Sequence, residues 1–179
     1  MEELHFNKLL IKTAFSCMAC DGDIDKREVK LIKKLQKENK IFGEIDINDE
    51  LDTLLLSINK DDQQFLKGYF NELSAAELTE ENELKLIKVA IDTIEADEKV
   101  EYSEIKFFKV IRSKLKIDNK LILEKHPDFE DYLEQDIITD SYLSRLQDDF
   151  FDTHISNDFQ LISEFDFDVF DTVKDKDRK

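Results

Sequence analysis

The sequence predicts an all-α fold, and three observations carry the prediction. The 179 residues include only three Gly and one Pro. Apolar residues recur at helical spacing along the first two-thirds of the chain. One helix–turn–helix pattern returns 76 positions after its first appearance. Scarce turn formers, with many Leu, Ile, Lys and Glu, favour helices over strands, and a fixed-period return marks an internal repeat.

The elements follow in order. Residues 4–20 place Phe6, Leu10, Ala14 and Cys17 on one helical face. Residues 26–39 form a second helix with Val29, Ile32 and Leu35 inward. The stretch "NKIFGEIDIND" is a loop, followed by two shorter helices near 49–58 and 62–73. Thr79 caps a long helix whose Leu84, Ile87, Ile91 and Ile94 form an inward stripe. After an acidic turn, residues 103–115 carry Ile105, Phe108 and Ile111 inward, and a short helix begins at Asp118 and stops before His126-Pro127.

Composition changes near residue 127. From Asp128 to the end, 16 acids stand against five Lys or Arg, and half of the 14 Phe lie there. We therefore divide the chain into a helical domain, 1–127, and an acidic, aromatic-rich C-terminal extension, 128–179. "SEFDFDVFD" alternates acids with aromatics, a pattern of edge strands and of interaction segments. Docking on the helical body would bury Phe150, Phe151, Phe159, Phe165, Phe167 and Phe170. The alternative is an exposed peptide that adds to a partner's groove or sheet edge, or an acidic surface that competes with nucleic acid for a basic protein.

The net charge is −17. It disfavours nucleic acid, whose phosphates need a positive surface, and anionic membranes. It suits cations and basic partners. No apolar run reaches the roughly 18 residues of a membrane span. The opening "MEELHFNKLLIKTAFS" lacks a basic n-region. With only two Cys, a reducing, cytoplasmic setting is expected.

The repeat aligns "AFSCMACDGDIDKREVKLIKKL" with "AIDTIEADEKVEYSEIKFFKVI". Asp21 meets Asp97, Ile24 meets Val100, Asp25 meets Glu101 and Glu28 meets Glu104. Two roles are open to these acids. Asp25 with Glu28, and Glu101 with Glu104, fit capping boxes that start the second helix of each unit. Yet an Asp at the C-terminal end of the first helix opposes the helix dipole, and both units have one. If the hairpins face each other, Asp21, Glu28, Asp97 and Glu104 converge. Two carboxylates about 5 Å apart repel by about 3 kcal/mol at an effective dielectric of ~20, so four would take up a cation or protons. Oxygen ligands favour Ca²⁺, with Mg²⁺ or Mn²⁺ as alternatives. The candidate ligands are Asp21, Asp23, Asp25, Glu28, Asp97, Glu101 and Glu104. A standard EF-hand is excluded, because Lys26 and Ile32 stand at the loop positions that require Gly and Glu.

"ACDGDIDKREVKLI" and its counterpart "EADEKVEYSEIKFF" together resemble the TerB family of tellurite-resistance proteins, whose fold is shared by the N-terminal region of DjlA-type co-chaperones. The resemblance spans residues 4–117, and Glu98 stands where the family has Gly. It implies an internally duplicated, non-enzymatic helical domain that binds divalent metal through its repeated acids in bacterial stress responses. The alternative expectation is a metal-free adaptor whose acidic, Phe-rich extension contacts a protein partner.

Other chemistry has little support. Cys17 and Cys20 have redox-motif spacing, but they close a helix beside Asp21, where thiolates are disfavoured. They read as packing residues. His5, His126 and His154 have no metal-ligand spacing, and no phosphate loop or nucleophile elbow occurs. No enzyme is expected.

Overall fold

Helix α1 (Glu3–Ala19) is buried almost all round, from Phe6 to Ala19, as a helix apolar on every side must be. It is the axis of the fold. The structure, a computed structural model, describes residues 2–20, 22, 24–97, 99–133 and 159–162. Among them are seven further α-helices: α2 (Lys26–Asn39), α3 (Ile47–Lys60), α4 (Asp62–Ala75), α5 (Glu80–Ile94), α6 (Tyr102–Ser113), α7 (Asn119–Lys125) and α8 (Glu130–Leu133). The fold is all-α.

Helix α1 packs against α3, α4, α5 and α6, most extensively against α5, and α2 packs on α5. Every buried residue of α5, from Glu83 to Ile94, lies 76 positions after a buried residue of α1. Helices α3, α4, α5 and α7 begin where a short polar side chain takes up free N–H groups. Asp46 accepts from the N–H of Asn48 and Asp49 at 3.0 and 3.1 Å. Asp61, the single residue between α3 and α4, accepts from Gln64 at 2.9 Å. Thr79 accepts from Asn82 at 3.2 Å, and Asp118 from Lys120 at 2.7 Å.

Two polar clamps close the loops after α2 and α6. Gln36 donates to the Gly43 carbonyl at 2.6 Å and accepts from the Phe42 N–H at 3.1 Å. Glu83 is buried and accepts from the N–H groups of Lys116 and Ile117 at 2.9 and 2.6 Å. Arg112 donates to Asn119 Oδ1 at 2.9 Å and to the carbonyls of Leu115 and Ile117.

Some expectations need correction. Helix α3 starts at Ile47 and not near 49, because Asp46 is its cap. Along α5 the buried side is wider than one stripe. Leu86, Val89 and Ala90 are buried while Leu84 is only half-buried, because α1, α2 and α6 all pack on this helix. On α6, Glu104 and Phe107 are buried and Ile105 is half-buried.

Packing continues past the compositional change near residue 127. Phe129, Tyr132 and Leu133 are buried, and Tyr132 meets Phe108 edge-on with ring centroids 5.7 Å apart. Phe159 packs against the core and Ile162 is fully buried. Phe150, Phe151, Phe165, Phe167 and Phe170 lie outside the described residues.

Candidate functional site

The acidic turn of the first unit joins α1 to α2. Gly22 has φ 89°, a left-handed conformation that glycine adopts without a Cβ penalty. Its N–H donates to the Ala19 carbonyl at 3.2 Å. Ile24 folds inward, and Asp25 then starts α2. Asp25 accepts from the Arg27 N–H at 2.7 Å, and its two oxygens take the Arg27 guanidinium at 3.0 Å each. Those Arg27 bonds hold the Asp25 carboxyl below its ordinary pKa. Glu28 reaches back and accepts from the Asp25 N–H at 2.9 Å, completing a capping box.

The second turn has the same reciprocal bond. The Glu101 N–H donates to Glu104 Oε2 at 2.6 Å. Glu101 also pairs with Lys99. Its apolar residue behaves differently. Val100 is 42% exposed, whereas its counterpart Ile24 is 8% exposed. Tyr102 is exposed beside it, with the Lys106 ammonium 4.5 Å from its ring centroid.

Glu28 and Glu104 are each only 5% exposed. Burial raises the Cys17 thiol well above its ordinary pKa, and the negative charges of Glu28 and Glu104 raise it further. Helix α2 also packs on the 3₁₀ turn Glu95–Asp97. Tyr132 of α8 closes the second turn by donating its hydroxyl to Glu95 at 2.9 Å. Burial and that bond push the phenol pKa up.

Asp25, Glu28, Glu101 and Glu104 are therefore placed at helix starts. Asp21 and Asp23 lie outside the described residues, as does the Asp97 side chain. Among the described residues no group of three or more His, Cys, Asp or Glu side chains is arranged to hold a metal ion. Cys17 and Cys20 are buried thiols outside any disulfide, and the raised Cys17 pKa keeps that thiol protonated at neutral pH. His5 is 3.8 Å from Glu72 and His126 stacks on Phe129. His154 lies outside the described residues. No described helix is long and apolar enough to cross a membrane.

Comparison with known proteins gives no match. No family model, no curated protein and no solved structure is similar to this chain.

The sequence reading missed the buried polar residues Asn7 and Glu83 and the half-buried Arg112. A signal for them existed. Glu83 lies 76 positions after Asn7, and Arg112 lies 76 after Gln36. The repeat offset thus relates the two loop clamps as well as the two turns.

Proposed function

We propose that the protein is a non-enzymatic helical module of TerB type, built from two related helical hairpins, that binds a divalent cation between its acidic turns. The observation that carries this reading is the burial of Glu28 and Glu104, the matching glutamates of the two turns, together with the packing of α2, which follows the first turn, on Glu95–Asp97 of the second. Acids buried in a poorly solvated place favour a counter-cation or a proton. Each of the two accepts a hydrogen bond from a backbone N–H. Asp21 and Asp97 are the remaining proposed ligands, and oxygen donors select Ca²⁺, Mg²⁺ or Mn²⁺. The role proposed for such a module is sensing or resistance in a bacterial stress response.

The test is thermal unfolding of the full chain in EDTA and in millimolar Ca²⁺ or Mn²⁺. The reading expects a metal-dependent rise in Tm that Asp21→Asn with Asp97→Asn removes. An unchanged Tm in the wild type rejects it.

A second reading, a metal-free adaptor, is supported by the composition of the C-terminal extension, with its 16 acids and seven Phe. Removing residues 163–179 tests it. The adaptor reading expects a captured partner to be lost while the Tm is kept. Retention of the partner rejects it.

A further inference from the structure

Residues 159–162 meet α3 through their main chain. The Asn59 carboxamide donates to the Phe159 carbonyl at 2.9 Å and accepts from the Phe159 N–H at 2.9 Å. About two turns earlier on α3, Asp52 Oδ1 accepts from the Ile162 N–H at 2.8 Å. Asn59 thus gives one residue the pair of bonds that an antiparallel strand neighbour would give. The Ile162 side chain is fully buried, while Phe159 and Leu161 lie partly buried against the core. Main-chain bonds supply affinity and one buried side chain supplies selectivity, two elements by which peptide segments are recognised.

Leu56 lies between the two polar residues on the same face of α3, four positions after Asp52 and three before Asn59. It is 63% exposed. The resident segment leaves this apolar residue uncovered, so the site is larger than its occupant.

We propose that the Asp52–Asn59 edge of α3 is a binding site for a short peptide segment, with Phe159–Ile162 as its resident ligand. The partner is a segment of another protein with an aromatic residue followed, three positions later, by an aliphatic one. Such a segment displaces residues 159–162 and covers Leu56. This site is separate from the acidic turns and does not depend on the cation reading.

The experiment uses the full chain and a fluorescent peptide, NDFQLISE, corresponding to residues 157–164. In the wild type the resident segment competes at the high effective concentration of an attached ligand. Ile162→Asp disables it, and peptide binding tightens by at least about tenfold. Adding Asn59→Ala to that variant abolishes the gain. Equal binding by wild type and Ile162→Asp overturns the proposal, as does a gain that survives Asn59→Ala. A second measurement covers a variant that does not fold. In Asn59→Ala, hydrogen exchange at the Phe159 and Ile162 amides accelerates while the helical amides keep their protection. Loss of protection throughout the helices makes the segment ordinary core and overturns the proposal. A concentration-dependent dimer, lost in Asn59→Ala, assigns the ligand to a second copy and overturns the resident assignment.

Discussion

Replacing Glu83 with Ala removes a buried acceptor that two backbone N–H groups share. Those groups belong to Lys116 and Ile117, at 2.9 and 2.6 Å, and Ile117 is buried. A hydrogen bond to a charged group contributes about 1.5–3 kcal/mol, and a buried donor left unpaired costs about 1–3 kcal/mol. The Lys116 N–H belongs to an exposed residue and regains water. Arg112 loses a nearby negative charge, but it keeps Asn119 and two carbonyls. The combined loss is about 3 kcal/mol. Urea unfolding would show it as a lower midpoint with an unchanged slope, and the Tm would fall by roughly 6–12 °C. Glu83→Gln keeps an acceptor and should lose less than half as much. A Glu83→Ala loss below about 1 kcal/mol would refute the reasoning.

Further outcomes follow from the same bonds. Asp25→Ala removes the cap of α2 and should cost about 1 kcal/mol near neutral pH. Because the folded Asp25 pKa is depressed, its ionic contribution is full above the unfolded value of about 3.9 and is lost as pH falls through the folded value. The gap between wild type and Asp25→Asn should therefore close in acid-dependent unfolding curves below about pH 4. Gly43 has φ 67°, and a Cβ there would lie 2.5 Å from Asn7 Nδ2, so Gly43→Ala should lower stability by more than about 1 kcal/mol. Gly68 lies inside α4 with nothing near its absent Cβ, so Gly68→Ala should raise stability by about 0.5–1 kcal/mol in denaturant melts. The Cys17 thiol should resist a disulfide reagent at pH 8 in the folded protein and react once urea unfolds it.

Helix limits were legible where the signal is local. Asp25 and Glu28 stand three residues apart and set the start of α2, while Thr79 sets the start of α5. Pro127 follows the end of α7 at Lys125. Apolar spacing alone could not show that Glu28, Glu83 and Glu104 are buried, since an acid at an inward position resembles a surface residue. Their burial depends on N–H donors, close in sequence at the two turns but 33 and 34 positions away for Glu83. The docking of Phe159 was equally hidden, because its partner Asn59 is 100 residues away. Ile162 sits in an acidic stretch and has no helical spacing to mark it as core. At the candidate site, the capping roles of Asp25 and Glu28 were readable from spacing. The packing of α2 on the Glu95–Asp97 turn required the tertiary fold.

The shared cation is tested most directly by a crystal grown in saturating Mn²⁺ and measured for anomalous scattering. The account predicts one strong peak bounded by carboxylate oxygens from both turns, with Asp21, Glu28, Asp97 and Glu104 within about 2.0–2.6 Å of the ion or of its bound waters. A crystal that diffracts well and shows no peak between the turns would contradict it.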